Sequence, residues 1–308
     1  MTPRRALVCA FLGALTFSEL LSATAEQTPL LRHKVGVLLV NHGSRSKTWR
    51  EALLQLEKEV APTILKNHSV SAVKTAFMEY NEPSIATRMK EFDADQFTDV
   101  IIIPVFLTVS SHSFDDIPTI LKLKEDAKSL ELLKLENIER YQPRARIRIS
   151  PMLDFGDILQ KNILRRAGQL SKNPAEEGLV LVAYGDHTYE REWAALLKKS
   201  ADYVARHLGV SGYAHAWCGH VAAYDPGKTT TAIESVLAQK KRVLVIPVLV
   251  AHDEMFQVEI IGGGVEKVPS FKERVVYRPD AILPDENIRN WVTATTATLV
   301  SAIKSSGG

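Results

Sequence analysis

Three residues able to hold a metal ion or move a proton each stand just beyond an apolar run. VGVLLV at 35–40 leads into Asn41-His42-Gly43-Ser44, SAVKTAFME at 71–79 ends on Glu79, and VIIIPVFL at 100–107 precedes His112. Intervals of 37 and 33 residues separate the three. Two imidazoles and one carboxylate suit a borderline divalent cation such as Co²⁺, Fe²⁺, Ni²⁺ or Zn²⁺. A single histidine at a strand end is ordinarily a capping or packing residue, so the signal lies in whether a fold brings the three to one rim.

The surrounding pattern predicts such a fold. The run at 35–40 reads as a buried strand, and Trp49, Leu53, Leu56, Val60 and Ile64 then follow at helical spacing. A second helix opens at Asn81-Glu82-Pro83-Ser84, between the strands at 71–79 and 100–107. Alternating strands and helices imply right-handed βαβ units and a parallel sheet. The same order then returns: LVLVAYGDH at 179–187 repeats VLLVNHGSR at an offset of 142, and VLVIPVLV at 243–250 repeats VIIIPVFL at 143. A third match, 274–288 against 146–159, runs at 128, which places about 15 extra residues between Leu121 and Gln142. This Lys-, Glu- and Leu-rich insertion is expected to lengthen one helix. The fold class is therefore α/β, with two duplicated lobes over 33–170 and 178–306, each a parallel sheet flanked by helices. A ligand cleft is expected between them, since ligands of open α/β sheets sit beyond the carboxyl ends of the strands.

Local sequence around the three residues adds a resemblance. Asn41-His42-Gly43-Ser44-Arg45, Phe77-Met78-Glu79 with Pro83-Ser84-Ile85, Ile103-Pro104-Val105-Phe106-Leu107 with His112, Asp115-Asp116-Ile117-Pro118, and Pro151-Met152-Leu153-Asp154 are similar, in that order, to the class II tetrapyrrole chelatases. Ser110-Ser111 depart from the Gly that many members carry before the second histidine. The resemblance covers 35 to about 160 and implies insertion of cobalt, iron or nickel, the metal being a substrate, into sirohydrochlorin or a related tetrapyrrole. It assigns His42 and His112 as metal ligands and Glu79 as third ligand or as acceptor of the pyrrole protons. The substrate is a polycarboxylate, for which Arg45, Lys47 and Arg88 are candidate cations and Ser44 and Ser111 neighbouring polar contacts. No Gly-x-x-x-x-Gly-Lys-Ser/Thr loop is present, so no nucleotide is expected. Read from the residues alone, Ser44 lacks a Gly-x-Ser-x-Gly elbow and is expected to cap the helix over 46–66, while Asp115-Asp116 fits a helix N-terminus.

The second lobe lacks the signature: Tyr184, Ala222 and Met255 align with His42, Glu79 and His112. His187, His220 and His252 nevertheless stand near its strand ends, with Cys218 two residues from His220 on one face of an extended strand. Two readings stay open there, a degenerate wall of the cleft and an auxiliary metal or haem site. With 38 Lys+Arg against 36 Asp+Glu, the charge is far from that of a nucleic-acid binder. Residues 1–25 read as a signal peptide: Arg4-Arg5, an apolar run at 6–15, then Ala23-Thr24-Ala25 before Glu26. The expectation is an exported protein, periplasmic or extracellular, with no membrane insertion after cleavage and no internal disulfide, because Cys218 would be the one cysteine left. Homo-oligomerisation is left open. Export also raises a rival, a metal- or haem-binding carrier with little turnover; a two-lobed solute-binding protein is disfavoured by the single polar segment at 171–178.

Overall fold

The computed structural model describes residues 33–153 and 156–306. The expected leader, Cys9 and Asp154 lie outside the described residues. The order is β1 Val35–Asn41, α1 Lys47–Ile64, β2 Val70–Phe77, α2 Ile85–Ala94, β3 Asp99–Pro104, a π-helical turn His112–Asp116, α3 Ile117–Ile120, α4 Ala127–Leu135, β4 Arg146–Ile149 and α5 Ile158–Leu170. Then come β5 Glu177–Ala183, α6 Glu190–Leu208, β6 Tyr213–Trp217, α7 Pro226–Leu237, β7 Arg242–Val248, a second π-helical turn Met255–Gly262, α8 Gly263–Glu266, α9 Phe271–Arg274, β8 Val275–Tyr277 and α10 Glu286–Ser305.

The strands form two four-stranded sheets of the same topology, β2-β1-β3-β4 and β6-β5-β7-β8. Every pairing is parallel. The central strands β1, β3 and β5 are buried throughout, as expected of continuous apolar runs covered on both faces. Leu38, Val40 and Ile102 pack toward Met89 and Phe92 of α2, while Val37, Leu39, Ile101 and Ile103 join Leu53, Leu56 and Val60 of α1. That second cluster continues without a break into Leu179, Leu181, Leu244 and Ile246 of the second sheet. Helices cross between the halves: α10 packs on α1, and α5 on α6 and β7. The two sheets are therefore held by one shared core, with their strand ends on a common side.

Two expectations are corrected. The insertion does not lengthen a neighbouring helix but adds a separate one, α4, which starts on its own Asp126 cap accepting from Ser129 N. The first helix is capped by Ser46, whose side chain accepts from Trp49 N, and not by Ser44. Ser44 Oγ instead donates to Asp253 Oδ2 at 2.7 Å, tying the loop after β1 to the loop after β7. Trp193 Nε1 makes a second tie to the carbonyl of Val109 at 3.0 Å. Among the described residues, no helix is long and apolar enough to cross a membrane.

Candidate metal centre

The loops after β1, β2 and β3 bring His42, Glu79 and His112 together. One donor atom from each lies within 4.8 Å of the other two. His42 Nε2 is 3.8 Å from Glu79 Oε2, His112 Nδ1 is 3.9 Å from Glu79 Oε1, and the two imidazoles meet edge to face at 4.7 Å. Backbone geometry enforces this approach. Gly43 sits at φ +108°, and a Cβ there would fall 2.0 Å from the carbonyl oxygen of Glu79. Only a glycine lets the two loops close, after which Glu79 N donates to His42 O at 2.8 Å.

Each imidazole is oriented by its Nδ1. That of His42 faces the Gly43 carbonyl at 3.0 Å, and that of His112 faces Asp116 Oδ2 at 2.8 Å, one helical turn on. Both are therefore read as Nδ1–H donors, which leaves Nε2 of each ring as a lone pair for an ion, the arrangement that fixes tautomer and aim at metal sites. Burial and the neighbouring His112 push His42 down to about 4, so it is neutral and ready to coordinate across the physiological range. Burial opposes charge on His112 as well, but the bond to Asp116 and the carboxylates of Glu79 and Asp186 raise it above its ordinary value. Asp116, despite burial, is held below the usual carboxylate range by His112 and by Ser129 of the inserted α4.

Glu79 is the least conventional group. Burial lifts it to about 7, partly against the pull of His112 and with a further push from the carboxyl of Glu136 at the end of α4. Near neutrality this carboxyl can hold a proton or give it up to an arriving cation.

The remaining candidates divide. Arg45 is exposed above the Tyr80 ring, 5.6 Å from its centroid, and Ser111 is half-buried immediately before His112. Lys47 is exposed and loosely paired with Glu51 at 3.5 Å. Arg88 does not meet the expectation placed on it: Nε donates to the Thr75 carbonyl at 2.9 Å and Nη1 to both oxygens of Glu91, so its donors are already engaged inside the first lobe. Ser44 is likewise engaged by Asp253. Asp116 was expected to serve only a helix N-terminus; its i,i+4 spacing from His112 was the signal for the orienting role. Glu136 carried no signal, being one acid in a charged insertion.

In the second lobe the backbone repeat is close and the chemistry is not. Gly185, at φ +89°, repeats Gly43, and Met255 opens a π-helical turn as His112 does. Gly219 N donates to Tyr184 O at 3.0 Å as Glu79 N does to His42 O, so the counterpart of Glu79 is Gly219 rather than Ala222. No side chain fits there, since a Cβ would meet Tyr184 O at 2.7 Å. Cys218 is fully buried, with its thiol pushed up to about 12, and β6 ends at Trp217; the proposed Cys218–His220 arm is not formed.

The family model CbiX matches residues 36–170. Sirohydrochlorin cobaltochelatase of Methanococcoides burtonii is 38% identical over 93 residues, 30% of this chain and 68% of the relative. Its counterpart from Methanosarcina barkeri is 33% identical over 96 residues, 31% and 71%. Over nearly the whole fold, the sirohydrochlorin chelatase SirB from Bacillus subtilis subspecies spizizenii in complex with cobalt aligns with TM-score 0.61 at 15% identity, covering 86% of this chain and 94% of that one. CbiX, described as the terminal enzyme of siroheme biosynthesis in denitrifying bacteria, aligns with TM-score 0.57 at 14% identity, covering 85% and 98%. The two-lobed α/β fold is thus shared with these two chelatases. The chain belongs to the CbiX family, on the strength of its first half.

Proposed function

We propose that the protein inserts cobalt into sirohydrochlorin without nucleotide, with the first lobe carrying the chemistry. The convergence of one donor atom each from His42, Glu79 and His112 within 4.8 Å of one another supports this reading most directly. The ion is a substrate, so the site must hold it without enclosing it. The two imidazoles are about a third exposed while the Glu79 side chain is largely buried, which leaves positions on the imidazole side for water and for the incoming pyrrole nitrogens. Two N–H protons leave the macrocycle as the ion enters. Glu79, poised near 7, accepts one of them and solvent water takes the other, and the exposed Glu136 beside Glu79 offers the first a way out to solvent. Arg45 and Lys47 stand exposed just beyond His42, where substrate carboxylates can reach them. Iron or nickel fits the same donor set, and the order of preference is part of the test.

Purified protein given sirohydrochlorin and Co²⁺ should convert many equivalents of the free macrocycle, followed by its absorption spectrum, with neither ATP nor GTP added. Conversion of a single equivalent that stays bound would instead establish the carrier reading. We also place the protein outside the cytoplasm, from the leader-like residues 1–25.

A further inference from the structure

The second lobe has lost the ancestral donors but has others, displaced. His187 follows Tyr184, the counterpart of His42, by three residues, and His220 follows Gly219, the counterpart of Glu79, by one. The two rings meet edge to face with centroids 5.3 Å apart, and both residues are exposed. His220 Nδ1 lies 3.3 Å from the Tyr184 hydroxyl, which leaves its Nε2 for another partner. Beside them stands Asp186, 8% exposed, whose Oδ1 accepts from Thr188 N and Tyr189 N. The Phe114 ring, two residues after His112, packs 6.5 Å from the Tyr189 ring, two residues after His187, and Trp193 Nε1 donates to Val109 O at 3.0 Å, so the loop that carries Asp186 and His187 abuts the loop that carries His112. His252 is in ring contact with neither histidine among the described residues, and Cys218 is buried.

We propose that His187 and His220, backed by Asp186, form a second docking site for the divalent ion on the opposite wall of the cleft, from which it passes to His42, His112 and Glu79. Two exposed imidazoles share an ion with water, a weak and fast-exchanging arrangement, whereas the first-lobe trio adds a buried carboxylate and fixed tautomers. The ion then moves from the weaker site to the stronger. The negative field of Asp186 acts on both ends of that path, and no aquo ion has to find the half-buried centre in one step. Passage to the first lobe rests on the chelatase reading; docking does not.

Equilibrium dialysis of Co²⁺ against the full chain, without tetrapyrrole, tests the docking. The wild type should bind two ions, a tight and a weak one. His187→Ala with His220→Ala should lose the weak ion alone, and His42→Ala with His112→Ala should keep it. The glutamine versions of the first pair, which preserve side-chain bulk, should behave as the alanine versions do. Passage is tested by chelation at varied cobalt: the His187/His220 variant should show its loss in KM for Co²⁺, roughly tenfold, rather than in kcat. Saturation of the wild type at one ion, or no cobalt on the His42/His112 variant, overturns the docking site. An unchanged KM overturns the passage. Two bound ions with no chelation in the wild type would remove the chelatase reading while the docking site stands.

Discussion

Glu79→Gln isolates what the carboxyl does from where it sits. The substitution keeps the shape between the two imidazoles but removes both the negative charge and the titration near 7. An ion and a proton compete for the wild-type carboxyl, so affinity falls as pH falls through that value. At pH 6 a group titrating near 7 is ionised about one time in eleven, against about nine in ten at pH 8, and the competition weakens binding by roughly tenfold between them, or about 1.4 kcal/mol. His112, also raised, adds its own proton competition, and because the Glu79 charge is part of what raises it, the variant carries less of that competition at low pH, which moves the ratio of the two dissociation constants in the same direction. Cobalt titrations followed by visible absorption, with a competing chelator, should therefore find Glu79→Gln weaker than wild type by a ratio that shrinks about tenfold from pH 8 to pH 6. A ratio constant with pH would refute both the raised titration and the ligand role built on it.

Asp116→Asn keeps the size of the group that orients His112 but weakens its 2.8 Å bond, and should lower cobalt affinity by roughly 10- to 100-fold with the thermal transition little changed. Gly43→Ala introduces a Cβ 2.0 Å from the Glu79 carbonyl at φ +108°, so it should cost about 2 kcal/mol or more in urea unfolding and abolish tight cobalt binding together. Ala in place of Gly156, which has open space around the added Cβ but also positive φ, should leave cobalt binding intact. N-terminal sequencing of the exported protein should begin at or within a residue or two of Glu26; an intact Met1 in the soluble exported fraction would remove the leader assignment.

The parts of this molecule that were legible in the sequence are those written in period and order. Continuous apolar runs mark the buried strands, and the repeat at offsets of 142 and 143 marks two sheets of one topology. His42, Glu79 and His112 are legible because each stands at or within a few residues of the end of such a run. What stayed hidden depends on contacts distant in sequence. Nothing around Arg88 announces that its guanidinium turns back to Thr75 and Glu91, and nothing around Ser44 announces Asp253, 209 residues away. Glu136 was hidden for the opposite reason: an exposed acid in a charged segment looks like solvated surface until α4 is seen to end beside Glu79. The Ala222 alignment failed because the connection from β5 to β6 is two residues shorter than that from β1 to β2, Leu179 pairing with Tyr213 where Val37 pairs with Val73, which sequence offsets taken from the neighbouring strands do not reveal.

Duplication followed by divergence explains why the two lobes differ more in side chains than in backbone. Gly43 and Gly185 keep the same left-handed turn, and His42 O and Tyr184 O accept the same backbone hydrogen bond, because these set the closure of loops on which each sheet edge depends. The donor positions are under no such constraint. In the second lobe Tyr184 fills the room a Glu79-like side chain would need, and its ring packs 5.4 Å from Phe256 and 5.4 Å from His220. A flat macrocycle lying between the sheets has two faces. One wall offers three converging donors, the other aromatic surface with two histidines at its rim. An ion enters a macrocycle from one face only in any single event, so two equal sites would compete for it. One strong centre opposite a weak one gives the ion a direction.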